Sequence, residues 1–242
     1  MNLDHNPKSG SLFGVSASDY DKLSELRPEF LERFSIWEKH ISLTFPNQRN
    51  LKALDLGCGN GYITLTLAKL GYQVVSIDGD QEMLKLTRNK LENEKLIGSV
   101  SLGHYFLPLP DQFVTEHENH FDLIVLSSVI EYIEKSDQLL KQCQLLLKPD
   151  GYLMISFPNK KSIYRLLERL LKNTPIFKNS YVRFQKKQYD LSDINFISIS
   201  NNFTIEFTKY YALPFQRYLK YFTKSNSIDW LSTLILVKFK KK

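Results

Sequence analysis

The period of the apolar positions changes several times along the chain, and each change marks an element. Residues 1–19, rich in Ser, Asn, Gly and Asp, read as a loose arm. Pro28 then opens a segment in which Phe30, Phe34, Trp37 and Ile41 recur at helical spacing, the mark of a buried stripe. Short apolar runs alternate with helical patterns after that. The runs KALDL (52–56), QVVSID (73–78), GSVSLG (98–103), FDLIVLS (121–127) and, after the turn KPDG, GYLMISF (151–157) predict strands. Helices are expected between them, from about Tyr62 to Leu70, Gln81 to Leu91 and Asp137 to Leu147. Strands that alternate with helices pair in parallel and are covered on both faces, so the expected class is α/β, doubly wound.

The last third loses this alternation. Ile163, Leu166, Leu167, Leu170 and Leu171 form the apolar face of a helix at about 161–172. A polar connection leads to FTIEFTKYYAL and the final STLILVKF, two strands expected to pair as an antiparallel edge. Between them, LPFQRYLKYF sets Phe215, Tyr218, Leu219 and Phe222 at helical spacing. The sum is a mostly parallel, seven-stranded sheet in one domain over residues 1–242. Its parts are an N-terminal arm and helix (1–48), a core (49–158) and a C-terminal part of helices and edge strands (159–242).

Composition narrows the setting. With 242 residues, 43% of them hydrophobic, the chain fills one sizeable core. It has no run of about 18 uninterrupted apolar residues, and its N-terminus lacks the basic-then-apolar order of a signal peptide, so a cytoplasmic protein is expected. Two cysteines, Cys58 in a glycine turn and Cys143 on an apolar helical face, supply neither a disulfide framework nor a zinc cluster, and no metal is expected. The formal charge is +6, and much of the excess lies in KKSIYRLLERLLKNTPIFK and the closing KFKKK. That places a basic face on the C-terminal half. Its amphipathic segments are expected to cover an active site or to make a peripheral contact with a membrane surface.

The chemistry begins at LDLGCGNG (54–61). In a doubly wound sheet the ligand lies beyond the carboxyl ends of the strands, and the first strand-to-helix turn comes closest to it. A pyrophosphate turn requires G-x-G-x-x-G. Here the spacing is G-x-G-x-G over Gly57, Gly59 and Gly61, with Asp55 two residues ahead, a carboxylate that disfavours phosphate and suits a cation. Asp78 ends the second strand about 20 residues later, where a carboxylate accepts hydrogen bonds from ribose hydroxyls. A ribose joined to a cationic amino acid describes S-adenosylmethionine.

LDLGCGNG, VVSIDGD with Met83 following, LPLPD, FDLIVLSSVIEYI and LLKPDGYLMISFPN stand in an order and spacing that resemble the class I S-adenosylmethionine-dependent methyltransferases. The nearest likeness is the small-molecule branch with the ubiquinone-pathway enzymes, and it covers about residues 50–160. The resemblance implies a Rossmann-like methyltransferase fold with an N-terminal helical lid and a helical insertion after the fifth strand. It implies that Asp55, Gly57, Gly59 and Gly61 surround the methionine moiety and that Asp78 takes the ribose. Gly79 and Met83 would lie beside adenine, and Ser127 would line the passage from cofactor to acceptor. Tyr20, in an Ala-x-x-Tyr-Asp-like lead-in, would close over the cofactor. Relatives often carry an acidic residue at the end of the third strand, where this chain has Gly103 followed by His104, Tyr105 and Phe106. Adenine would then rest on backbone groups and on stacking by those side chains.

Methyl transfer from a sulfonium is an in-line displacement that depends chiefly on positioning, so no catalytic residue need be obvious. The candidates are His104, Glu131 and Tyr132, the last standing where related enzymes often have histidine. SSVIEY lacks the Asn/Asp-Pro-Pro-aromatic turn of amino-methylating nucleic-acid enzymes, and neither cysteine follows a proline as in the cytosine-carbon enzymes. The insertion QFVTEHENH (112–120), with His117 and His120 near Glu116 and Glu118, reads as a solvated loop. The expected function is methyl transfer to an oxygen or nitrogen of a small-molecule acceptor. The alternatives are a non-catalytic S-adenosylmethionine-binding protein and an RNA methyltransferase, with nucleic acid the less favoured partner.

Overall fold

In the computed structural model, residues 16–26, 28–46, 48, 50–171, 184–214 and 229–242 are described. Two helices lead, α1 (Ala17–Leu26) and α2 (Pro28–Ser42). The alternating core follows as β1 (Lys52–Leu56), α3 (Tyr62–Lys69), β2 (Gln73–Asp78), α4 (Gln81–Asn93), β3 (Val100–His104), α5 (Asp111–Glu116), β4 (Phe121–Leu126), α6 (Ser136–Leu146) and β5 (Leu147–Pro158). Then come α7 (Ile163–Leu171), α8 (Leu191–Ser200), β6 (Phe203–Tyr211) and β7 (Leu234–Lys241).

The seven strands lie in the order β3-β2-β1-β4-β5-β7-β6. From β3 to β5 neighbours are parallel, and β7 runs antiparallel to both β5 and β6. The expected antiparallel edge is therefore present, with the last strand of the chain inserted between β5 and β6. The winding reverses between β1 and β4, which opens a cleft beyond their carboxyl ends.

Alternation along the strands sends side chains to two faces. Leu54, Leu56, Ile124, Leu126, Leu153 and Ile155 point to one side, where α5, α6 and α8 cover them. Ala53, Leu123, Val125 and Met154 point to the other, under α2, α3 and α4, with Trp37 and Ile41 of α2 fully buried there. The Trp37 indole N–H donates to the Tyr211 hydroxyl at 3.2 Å, which ties α2 to the far strand β6.

Four expectations need correction. The arm is helical from Ala17, because Ser16 starts α1 by accepting the Asp19 amide on its Oγ. The segment QFVTEHENH is no solvated loop: Asp111–Glu116 is a short helix, Phe113 and Val114 are buried, and His117 stacks between Phe113 and Phe121. The turn KPDG is absorbed into β5, which already pairs with β4 at Leu147↔Phe121. The polar connection before β6 holds α8, started by a capping box in which Asp190 and Asp193 bond each other's end of the first turn. The helical pattern at Phe215–Phe222 lies outside the described residues.

Candidate functional site

Where β1 turns into α3, three glycines take positive φ: Gly57 at 73°, Gly59 at 54° and Gly61 at 80°. They serve different ends. A Cβ on Gly57 would stand 2.5 Å from Val129 Cγ2, so only glycine lets the β1 turn touch the turn after β4 at the switch point. A Cβ on Gly61 would stand 2.6 Å from the Thr87 side chain, so this glycine packs α3 against α4. A Cβ on Gly59 would meet nothing within 4 Å. The middle glycine thus borders open space that a side chain would fill, which is where a ligand can approach the backbone.

Asp78, at the end of β2, organises that space. One carboxylate oxygen accepts the Gly59 amide at 2.8 Å and the other the Asp80 amide at 2.9 Å. Each oxygen keeps a lone-pair direction for a further donor, as two ribose hydroxyls would supply. Burial raises the Asp78 pKa, and the amide bonds from Asp80, Gly59 and Gly79 oppose the shift.

A cavity of about 320 Å³ opens beside it, lined by Gly57, Asp78, Gly79, Tyr105, Phe106, Leu107, Ser128, Val129, Tyr132 and Ile133. Gly57, Asp78, Gly79 and Tyr105 of the expected cofactor set meet here, together with Tyr132. Phe106, edge-on to His104, is 63% exposed at the rim. Leu107, Val129 and Ile133 add apolar wall that the sequence reading did not single out.

Other expected residues stand elsewhere. Asp55 does not line the cavity: it is fully buried beneath the turn, where Oδ2 accepts the Thr64 hydroxyl at 2.7 Å and Thr64 in turn meets Ser76. Burial pushes its pKa up to about 7 against the lowering bond from Thr64, so its role is to set the turn from below. Met83 is partly buried on α4, and Ser127 is partly buried just past β4. His104 pairs in register with Asp78; its Nε2 lies 3.0 Å from the Gly79 carbonyl and its Nδ1 3.4 Å from the Gln81 amide. Both ring nitrogens are engaged on the β2–β3 side, away from the turn after β4.

Helix α1 is fastened over the glycine turn by a residue of the turn itself. The Asn60 side-chain amide donates to Asp21 at 2.8 Å and to the Ser24 hydroxyl at 2.7 Å, and Lys90 pairs with Asp21. Tyr20 of this helix packs edge-on against Phe30. Its phenol is raised chiefly by burial, with Arg33 opposing and Asp78, Asp21 and Glu131 adding to it. The ring therefore sits among the charged groups of the site.

On the β4 side a second polar group gathers. Ser128, at φ 57°, donates its amide to Ser156 Oγ at 2.7 Å and accepts the Arg33 guanidinium on its own Oγ. Arg33 also lies over the Phe30 ring at 5.3 Å, and its Nε is buried with no hydrogen-bond partner among the described residues. Glu131 is 1% exposed and its Oε2 likewise has no partner there. Burial lifts its pKa to about 7, while its own backbone amide, Arg165 and Arg33 act in the lowering direction. Tyr132 beside it is driven up, first by burial and then by Glu131. Arg33 was missed from sequence because nothing local distinguishes it from the other charges of its helix; only the topology brings it to Ser128.

Both thiols are inert at neutral pH, since burial raises Cys58 well above its ordinary value and Cys143 to about 12. Among the described residues no group of His, Cys, Asp and Glu is arranged to hold a metal ion.

The open cradle at Gly59, the carboxylate of Asp78 and the aromatic rim at Tyr105 and Phe106 fit an adenosine-bearing ligand, and the glycine turn lacks the G-x-G-x-x-G spacing of a pyrophosphate site. With the sheet order above, they define the Rossmann-like fold of the methyltransferases. The chain belongs to the methyltransferase domain family, whose model matches residues 47–205. It is 30% identical over 150 residues to the ubiquinone/menaquinone biosynthesis C-methyltransferase of Shewanella frigidimarina, covering 60% of this chain and 56% of that protein. It is 28% identical over 163 residues to the ubiquinone biosynthesis O-methyltransferase of Pelagibacter ubique, covering 65% and 63%. The match thus spans somewhat over half the length of these relatives. A crystallised SAM-dependent methyltransferase from Archaeoglobus fulgidus superposes with a TM-score of 0.63 at 19% identity, over 92% of this chain and 99% of the other, which establishes the fold.

Proposed function

We propose that the protein transfers a methyl group from S-adenosylmethionine to a small-molecule acceptor. The observation that carries this reading is the meeting, in one cavity, of Gly57, Asp78 and Gly79 with the turn after β4. The two relatives above are named for carbon and oxygen methylation. They support a biosynthetic acceptor and admit a carbon nucleophile that the sequence reading had left out beside oxygen and nitrogen.

When bound, the cofactor supplies an electrophilic methyl group on a sulfonium. The chain's part is to bind, orient and dry the site. Asp78 and the glycine turn fix the ribose end, and Asp55 holds the turn from below. Val129, Ile133 and Leu107 exclude water from one wall, which strengthens every polar contact inside. His104 belongs to the cofactor side. Tyr132, its phenol raised, is a poor base and is assigned to orienting the acceptor. Glu131 is the residue suited to move a proton: its Oε2 is uncommitted and its pKa of about 7 matches neutral conditions. Arg33 positions Ser128 and keeps one donor in reserve for an anionic or carbonyl oxygen.

Calorimetry with S-adenosylhomocysteine and with NAD tests the cofactor assignment, and methyl transfer from labelled cofactor to quinone-like phenols tests the chemistry. Binding of S-adenosylhomocysteine alone is the expected result. Stabilisation by NAD in its place would overturn the reading, and cofactor binding without transfer to any acceptor would leave a binding protein.

A further inference from the structure

A second cavity, of about 250 Å³, opens at the leading ends of β1 to β4. The five residues of β1 span about 16 Å, so this cavity and the glycine turn stand at opposite ends of the strand. In the order of the sheet, Ser99 and Ser101 line it from the β3 side, Val75 from β2, Lys52 from β1, and His120 and Phe121 from the start of β4. The Lys52 ammonium lies 3.2 Å from His120 Nε2. An ammonium has donors only, so Nε2 accepts and the neutral ring carries its proton on Nδ1. Among the described residues Lys52 pairs with no carboxylate. Asp122 is committed otherwise: it accepts the Lys52 backbone amide at 2.8 Å and the Lys148 ammonium on both oxygens at 2.8 Å. A lysine with no charge to meet ordinarily extends its head into water. This one is partly buried and turned onto a neutral ring.

We propose that this cavity binds the phosphate group of a small monoester, with Lys52, His120 and Ser101 as its donors. A phosphate dianion supplies the charge that Lys52 lacks, and its oxygens accept from the ammonium and from the exposed Ser101 hydroxyl. Without the ligand, burial, Lys52, His117 and Lys148 hold His120 below its ordinary pKa, with Asp122 opposing them. An anion beside the ring offsets that repulsion, so His120 takes up a proton and offers Nε2–H to the same group. The ligand thereby switches on one of its own donors. Three donors on separate strands of the sheet suit tetrahedral oxygens, whereas a planar carboxylate pairs best with a single fork. The cavity is larger than one phosphate group, and Val75 and Phe121 give the remaining space apolar lining, which fits an ester over the free ion.

The test uses the full chain and needs neither cofactor nor acceptor, so its failure leaves the methyl-transfer reading standing. Calorimetry measures binding of inorganic phosphate and of ribose 5-phosphate at about pH 6.5, the ordinary histidine value, with ionic strength fixed by sodium chloride. Both should bind, the ester at least as tightly as the free ion. Lys52→Met keeps the backbone amide that bonds Asp122 and should bind at least about tenfold more weakly, and Ser101→Ala about threefold more weakly. Thermal unfolding checks that both variants fold. The chain has five histidines, so the His120 ring signals are assigned by NMR with His120→Gln and then titrated. Ribose 5-phosphate should raise the His120 midpoint by about one pH unit in the parent and leave it in place in Lys52→Met. Absence of binding, equal binding by Lys52→Met or an unmoved His120 titration overturns the proposal. So does a site that takes inorganic phosphate and refuses the ester.

Discussion

The two sides of the switch point are built by different means. On the β1–β2 side the parts are mostly backbone: a turn of three left-handed glycines with Gly59 open toward the ligand, and one carboxylate, Asp78, that bonds the Gly59 and Asp80 amides. On the β4–β5 side the parts are side chains brought from distant segments, Arg33 from α2, Glu131 from the turn after β4 and Arg165 from α7. A site made of backbone tolerates little change and serves one ligand. A site made of side chains on separate elements is readily altered while the first half stays fixed. That division lets one cofactor half serve many acceptors.

The largest effect should come from crowding the backbone half. Gly61→Val adds a Cβ that would lie 2.6 Å from Thr87 at a φ of 80°, so packing and backbone strain act together. A loss of about 4 kcal/mol in stability is expected, with cofactor binding abolished. Thermal unfolding and calorimetry with S-adenosylhomocysteine measure both. A variant that retains binding would mean that α4 yields and that the half is less rigid than its packing indicates.

Next is Asp78→Ala. The charge-assisted bonds lost to the ribose lower cofactor affinity by about 3 kcal/mol, or over a hundredfold, with a smaller loss of stability from the two amides left unpaired. Unchanged affinity by calorimetry would remove Asp78 from the cofactor site and return it to a purely structural role in the turn.

The contrast also explains which features were legible in the sequence. The glycines, the Asp78 carboxylate at the end of β2 and the five core strands are local signals, and the strands form where their patterns place them but for the earlier start of β5. The helix α5 was hidden because its apolar content is little more than Phe113 and Val114, too short for a period to show. In α8, Ile194 and Ile197 are diluted by Ser and Asn, although Asp190 and Asp193 already spelt its cap. Helix α7 is a different matter, since Glu168 is buried and its leucines are exposed, Leu170 at 70%. Periodicity reveals that a stripe exists, whereas its direction depends on Arg165 and Asn159 bonding to residues 229–233 at the far end of the chain. Arg33 comes within electrostatic reach of Glu131 for the same reason, through topology that no window of sequence contains.

The side-chain half should answer to pH where the backbone half answers to sterics. Glu131 keeps its proton in the folded protein up to about pH 7, whereas its ordinary value is 4.5. Between those values unfolding releases a proton, so this group makes stability fall as pH rises from about 4.5 to 7, and the loss is complete above that range. Glu131→Gln removes it. The variant should be more stable than the parent by about 2 kcal/mol at pH 8 and nearly equal at pH 4, with affinity for S-adenosylhomocysteine unchanged and methyl transfer reduced. Denaturant midpoints at the two pH values measure the difference. Asp55 contributes in the same direction and remains in the variant, so part of the pH slope should persist.

The smallest expected effect probes the seam between the halves. Asn60 belongs to the glycine turn by sequence, yet its side chain points away from the cavity and holds α1 through Asp21 and Ser24. Asn60→Ala leaves the backbone of the turn intact and cuts both bonds, at a cost of about 1 kcal/mol in stability. If α1 with Tyr20 closes over the cofactor, the variant should also release S-adenosylhomocysteine several-fold faster while its association rate barely changes. Stopped-flow dissociation reads this directly. A variant with lower stability and unaltered release would confine α1 to packing, and the cofactor half would then end at the turn itself. Faster release would extend that half to the N-terminal helix, and would make Asn60 the one residue of the motif that acts through its side chain on the lid.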